Sequence, residues 1–403
     1  MRKAMKERLS RLLILELSLA FLLLGCVGLG QVAEEGTPAW QVAPLPKWEE
    51  AFHTADPRWR GADGASSVPL SASKTVWLFG DTWITDLEAR GREGAVLIRN
   101  SLAVQELGGC APGRTEFYWQ EVSGKPADAF PSETSPGWLW PLSGARVGRL
   151  LVVFMCECVE SKSPLGFEIS GSVLLKVSNP DDVPAQWQSE QLKVPFFDHR
   201  PNGDLFFGAA CLLFENFLYV YGVREDWSRG AEGRSVILAR VPLDALERED
   251  FSAWQFFSGD GWAAEMSRGA ALFEGAATEM SVSYAPALEK FIAVYTYCGL
   301  SERILARVAS RPEGPWRESG LLFTCPDVSW SRNYFCYAGK AHPELACSGE
   351  ELILTYATNS SSLEDHYQDL RLYWPRFIRA TLRYEGKPRA VSLRLIETRQ
   401  GAP

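Results

Sequence analysis

One pattern constrains this chain more than any other: a β-rich unit recurs five times along it. The runs VWLFGD from Val76, LLVVFMCEC from Leu150, FLYVYGV from Phe217, FIAVYTYC from Phe291 and LILTYATN from Leu352 start 74, 67, 74 and 61 residues apart. β-branched and aromatic residues dominate each, as a pleated, buried strand favours. A small-residue segment precedes each run: ASSVPL from Ala65, LSGARVG from Leu142, FGAACLLF from Phe207, MSVSYAPA from Met280 and AHPELAC from Ala341. Small side chains suit an inner strand where several sheets crowd together. A third strand-like run follows each, from Ala95, Ser172, Ser235, Arg303 and Arg376. Four units then continue into a segment bearing Trp119, Trp187, Trp254 or Trp316; the segment around Trp48, or AVSLRLIET from Ala390, would complete the fifth. Inner, middle, third and outer strand make a four-stranded antiparallel sheet. Five in succession predict an all-β fold, a five-bladed β-propeller with four-stranded antiparallel blades. Closing such a ring removes the exposed sheet edges of an open array. A β-sandwich or two β domains also accommodates short strands, but the repeated four-part order favours the ring.

The 403 residues are 46% hydrophobic and 23% charged, a globular balance. A formal charge of −9 argues against a nucleic-acid partner bound through phosphates. Four His leave little material for a multi-histidine metal centre, so neither metal nor cofactor is expected. GxSxG, HExxH and GxxxxGK[ST] motifs are missing from the sequence.

The N-terminus has its own chemistry. Arg2, Lys3, Lys6, Arg8 and Arg11 precede an apolar stretch, Leu12 to Leu24, that ends in Leu23-Leu24-Gly25-Cys26. A basic region followed by a short apolar run reads as an export signal. Its ending resembles the bacterial lipoprotein box, in which Cys26 would be acylated. A plain membrane anchor or an ordinary cleaved signal are the alternatives. On the lipoprotein reading, residues 1–25 are a signal peptide, 26–45 a lipidated tether and 46–403 the propeller domain. Loss of five basic and two acidic side chains takes the formal charge from −9 to about −12. No later apolar run approaches the ~20 residues that span a bilayer. The body is therefore expected to be a monomer held at the cell envelope by lipid. If the envelope is Gram-negative, Val27 in place of Asp after the lipidated residue points to the outer membrane. Eight further Cys remain, and export permits disulfides. Cys156 and Cys158 share one strand face, and Cys325 and Cys336 are spaced to bridge a loop; sequence assigns no partners.

Carboxylates stand near the starts of the inner strands, where a propeller funnel places a pocket. Asp63, in GADGASS, is flanked by Gly61 and Gly64, which would let backbone approach a ligand; an Asp-Gly turn is the reading the residues alone favour. Asp81 ends the aromatic run LFGDTW, where a carboxylate needs a partner. Trp83 follows as a sugar-stacking platform or a plain aromatic. Glu279 opens inner strand 4 among small and apolar residues, as a desolvated general acid would; a rim residue paired with Arg is the alternative. Asp204, in NGDLFFG, fits turn chemistry too. His342 and Glu344, in AHPELA, are read as opening inner strand 5, with His342 touching a sugar hydroxyl or capping a turn. Paired carboxylates hydrolyse glycosides: one protonates the leaving oxygen while the other attacks or activates water.

WLFGDTW, TEMSVSY with FIAVYTY, Gly314-Pro315-Trp316, His342-Pro343, and LTYATN with YWPRF resemble a family of bacterial five-bladed propellers, the domain of unknown function 4185, from about Gly61 to Tyr384. Some members of that family are endo-acting D-arabinanases, and the architecture is similar to arabinanase, xylosidase and invertase propellers. The resemblance implies a glycoside hydrolase acting on a polysaccharide or oligosaccharide, plausibly an arabinofuranan, with Asp63, Asp81 and Glu279 catalytic. We assign Glu279 the acid role, one Asp the base or nucleophile role, and the other an orienting and charge-modulating role. Trp83, Asp204, Tyr284, His342, Asn359 and Arg376 would contact substrate. A non-catalytic propeller that binds glycan or scaffolds an envelope complex is the rival.

Overall fold

A computed structural model describes residues 39–163 and 166–383; the signal segment, Cys26 and the run from Ala390 lie outside them. The architecture is all-β. Its first sheet runs Ser66–Ser71, Lys74–Phe79, Ser101–Leu107, Pro112–Tyr118 in chain order from inside to outside. The second runs Trp138–Val147, Leu150–Glu160, Phe167–Val177, Ser189–Val194. Gly203–Phe214, Phe217–Glu225, Arg234–Pro242 and Gln255–Phe257 form the body of the third, which short additions widen to seven strands. The fourth runs Met280–Ala285, Lys290–Thr296, Arg303–Ala309, Arg317–Thr324. All five middle runs of the repeat are second strands of these sheets.

The fifth sheet departs from expectation twice. Its inner strand is Tyr334–Ala341, not AHPELAC. Pro343 has no N–H to give a ladder, and residues 343–345 instead form a short 3-10 turn after the strand. The sheet continues through Glu351–Ser360 and Pro375–Arg383 to an outer strand, Ala39–Pro44. That outer strand comes from the stretch read as tether, and Trp48 sits in the helix Pro46–His53 that follows. The expected outer-strand tryptophans flank their strands: Trp187, Trp254 and Trp316 precede them and Trp119 follows.

Successive inner strands touch, and their small residues make the contacts. Ser66 Oγ donates to the Leu142 carbonyl, and Cys211 N donates to Ser143 Oγ at 3.0 Å. The third and fourth inner strands are in contact. Ala341 N donates to Ser281 Oγ at 2.7 Å. Ser67 Oγ meets His342 Nδ1 at 2.6 Å, which returns the circuit from the fifth sheet to the first. Aromatic and aliphatic side chains fill the wedges between neighbouring sheets. Trp59, Trp77 and Phe79 are fully buried, and burial of each such ring stabilises the fold by roughly 2–3 kcal/mol.

Four inner strands carry a β-bulge: between Pro69 and Ser71, Pro141 and Ser143, Phe207 and Ala210, and Tyr337 and Lys340. A bulge adds unpaired length to one strand and re-aims the side chains around it. In the fifth sheet Tyr337 pairs with Ala357 and Lys340 with Thr355, so three steps on one strand match two on the other.

Candidate active site

Asp63 and Asp81 are built by one piece of backbone. Asp63 N donates to the Asp81 carbonyl at 3.3 Å, and Gly80 N donates to the Asp63 carbonyl at 3.1 Å. Only glycine fits at position 80: a Cβ there would lie 2.4 Å from Asp63 Oδ1. The chain thus turns sharply after Trp59–Ala62 and sets two carboxylates side by side at one end of the first sheet. Glu279 immediately precedes the fourth inner strand, at the same end of its sheet.

Each carboxylate has its own surroundings. Asp63 Oδ2 accepts from the Tyr337 hydroxyl at 2.8 Å and the Tyr373 hydroxyl at 2.9 Å. Asp81 Oδ2 pairs with Arg99 Nη1 at 3.1 Å, and its Oδ1 accepts from the Trp140 indole at 2.8 Å. Glu279 Oε1 faces the Lys340 ammonium at 3.5 Å. Lys340 also donates to the Gly64 carbonyl, directly beside Asp63.

Burial pushes the Asp63 carboxyl well above the usual range, and repulsion from Asp81 and Glu279 adds to this; the two tyrosine hydrogen bonds oppose it. Burial also raises Asp81, but Arg99 and Trp140 pull it back. Lys340 is lowered by burial, with Glu279 and Asp63 acting in the opposite direction. Three mutually repelling carboxylates therefore share the site with two cations. A carboxyl whose surroundings favour its proton, set beside further carboxyl groups, is the arrangement that acid/base chemistry at a glycosidic oxygen requires.

Other residues named from sequence stand elsewhere. Asn359 is adjacent: its Nδ2 donates to the Tyr337 hydroxyl at 3.2 Å, and it is buried behind that ring. Trp83 is a core residue, 2% exposed and packed against Tyr367, so its faces are closed to a sugar. His342 and Glu344 follow the fifth inner strand, two and four residues beyond Lys340, and neither touches the three carboxylates in a hydrogen bond. His342 bridges Ser67 and Thr355, and burial keeps the imidazole well below its ordinary pKa. Ser67 also donates to Glu344. His342 spends its second ring nitrogen on Thr355 rather than on the acid, so the Ser67, His342 and Glu344 cluster lacks the geometry of a nucleophilic triad. Asp204 lies inside the third inner strand and pairs with His199 at 2.8 Å. Tyr284 is exposed near the far end of the fourth inner strand, against Phe291. Arg376 pairs with Glu49 at 3.0 Å and stacks on Trp330.

Arg99, Trp140, Tyr337, Lys340 and Tyr373 were not singled out from sequence. Tyr373 lies within YWPRF and has φ +65°, a left-handed conformation that a bulky residue adopts only under constraint. A cavity of about 530 Å³ between residues 51–56 and 113–118 contains none of these groups. The disulfide joins Cys110 to Cys347, across 237 residues; Cys325 and Cys336 are free, buried thiols.

Among solved structures, the chain is similar to a presumed hydrolase from Bacteroides ovatus. That likeness has a TM-score of 0.66 at 16% identity, over 88% of this chain and 96% of the other. It shows a shared fold. Looser likenesses are to a GH43_1 enzyme from Xanthomonas citri (TM-score 0.45, 13% identity, 84% of this chain and 93% of that one) and to an endo-arabinase from Bacteroides thetaiotaomicron (TM-score 0.41, 11% identity, 80% and 94%), and they add nothing to it. No curated protein matches the chain. The family model that matches, over residues 47–382, is the domain of unknown function DUF5005 rather than the 4185 family that the short motifs resemble, and the chain belongs to DUF5005.

Proposed function

We propose that this protein is a five-bladed β-propeller glycoside hydrolase, exported as a lipoprotein, that cleaves a polysaccharide by paired-carboxylate catalysis. The observation that carries the reading is the meeting of Asp63, Asp81 and Glu279, drawn from the first and fourth sheets, with Lys340 and two tyrosine hydroxyls. Contacts between successive inner strands, with Ser67 meeting His342 and Lys340 reaching Gly64, support the propeller, with a widened third blade. The Cys110–Cys347 disulfide supports export, since such bonds persist in oxidising compartments. Acylation at Cys26 and outer-membrane sorting belong to the same reading. An arabinofuranan is the substrate we favour, on the motif resemblance to arabinanases.

Environment suggests the roles. Asp63 holds the proton and acts as general acid. Glu279, ion-paired with Lys340, acts as nucleophile or base, and Asp81, fixed by Arg99 and Trp140, orients and modulates charge. These roles exchange Asp63 and Glu279 relative to the assignment made from sequence.

The test is product chromatography on arabinan, arabinogalactan, xylan and fructan. Wild-type protein is expected to release oligosaccharides, and Asp63→Asn and Glu279→Gln to lose at least ~10³-fold in kcat. Aryl glycosides with good leaving groups should restore rate to Asp63→Asn but not to Glu279→Gln; the opposite pattern reverses the roles. An inert wild type that still binds one of these glycans would make the protein a glycan-binding scaffold instead.

A further inference from the structure

Lys340 is an unusual cation for a protein interior. Its side chain is only 4% exposed, and taking an ammonium out of water is costly unless charge or hydrogen bonds compensate. The compensation here is small: one carboxylate oxygen of Glu279 at 3.5 Å and one carbonyl, that of Gly64. A plain core would use an apolar residue at such a position.

The backbone is shaped to bring Lys340 there. In a regular strand residues 337 and 340 would point to opposite faces, because side chains alternate. The bulge changes this. Ala338 takes φ +58°, and Gly339 N donates to Thr296 Oγ1 at 2.9 Å. A Cβ on Gly339 would lie 2.8 Å from that same oxygen, so the strand lies tight against the fourth sheet. As a result the Tyr337 hydroxyl reaches Asp63, and the Lys340 ammonium reaches Glu279 and Gly64, in the same site.

We infer that Lys340 is a positioning residue, the internal counter-charge that aims the Glu279 carboxyl group into the pocket it shares with Asp63. The inference rests on the carboxylate-pair reading for its catalytic consequence, but its electrostatic content stands apart from it. The charged and titratable groups involved are few. Glu279 and Asp63 act on Lys340 directly. Asp81 acts on Asp63 and is itself paired with Arg99. Tyr337 and Tyr373 donate to Asp63, and the neutral His342, two residues on, feels the Lys340 charge.

The experiment compares wild type, Lys340→Met, Lys340→Arg and Glu279→Gln, all checked for folding by circular dichroism. With [13C]carboxyl labelling, the Glu279 signal is identified by its loss in Glu279→Gln. In Lys340→Met it is expected to titrate at higher pH than in wild type, by a unit or more; Lys340→Arg should stay within a few tenths of wild type. An unmoved Glu279 titration in folded Lys340→Met overturns the inference. Should Lys340→Met not fold, the reciprocal measurement decides: the Lys340 Nζ signal should titrate at lower pH in Glu279→Gln than in wild type, and an equal midpoint overturns the proposal. On an active glycan, the acidic limb of the kcat/KM profile should move to higher pH in Lys340→Met, with about a tenfold loss below that limb. A uniform loss with an unmoved limb would mark Lys340 as merely structural and overturn the inference. A wild type that cleaves nothing would fail the hydrolase reading alone, since the two titrations need no substrate.

Discussion

Asp63 is held where its charge is least welcome, and this has a cost that can be measured. Its folded-state pKa is raised above the unfolded value of ~3.9. Between those two values the folded chain binds more protons than the unfolded one. The stability that the neutral carboxyl contributes is therefore present at acid pH and lost as the pH rises from about 4 through the raised value. Asp63→Asn removes the liability. It is expected to raise stability by about 1 kcal/mol at pH 8 and by less at pH 5, while abolishing hydrolysis. Urea denaturation at the two pH values checks this; an advantage that shrinks as pH rises would contradict it.

At the scale of elements, the segment that supplies Tyr373 is tied down by one fully buried guanidinium. Arg92 donates to the carbonyls of Arg60, His366 and Leu372, and burial lowers its pKa to about 9. Arg92→Ala would leave three buried acceptors without donors. At ~1–3 kcal/mol for each such loss, partly relieved by entering water, a destabilisation of about 3 kcal/mol is expected by thermal unfolding. Any residual folded protein should show a larger loss in kcat than in substrate affinity, since Tyr373 would no longer be fixed against Asp63. Ala338→Gly acts the other way: it relieves a left-handed residue in the bulge and should stabilise by about 1 kcal/mol in chemical denaturation.

These elements also show what sequence could and could not disclose. Strands such as Leu150–Glu160 and Phe217–Glu225 are plain from their β-branched and aromatic runs, because a twice-buried strand tolerates little else. The serines at 66, 143 and 281 were legible as small residues of a crowded inner strand. The fifth inner strand is hard to place from sequence because AHPELAC and YFCYAGKA both carry small residues, and Pro343, which breaks a ladder, is all that separates them. Asp63, Asp81 and Glu279 could be picked out because acids beside glycines and aromatics are conspicuous. Their partners could not. Tyr337 and Tyr373 lie 274 and 310 residues from Asp63, and only the return of the chain to its first sheet makes them neighbours. Lys340 was hidden further, since its orientation depends on a bulge that leaves no regular alternation to read.

For the whole molecule, closure has two layers. Ala39–Pro44 zips onto Pro375–Arg383, and Cys110–Cys347 adds a covalent link between the first and fifth sheets. Cross-linking residues so far apart removes much freedom from the unfolded chain. Paired Cys110→Ser and Cys347→Ser substitution, or reduction, is expected to lower stability by roughly 2–5 kcal/mol, with activity at low temperature retained. Differential scanning calorimetry with and without reductant checks the first part, and glycan release at 10 °C the second.

Ala39 and Arg383 are register partners at one end of their strands. Pro375, at the other end, adjoins the segment whose Tyr373 grips Asp63. Ala39 therefore lies at the pole opposite the carboxylates. A chain leashed to a bilayer by its N-terminus would stand with its mouth turned outward, free to meet polymers too large to slip beneath it.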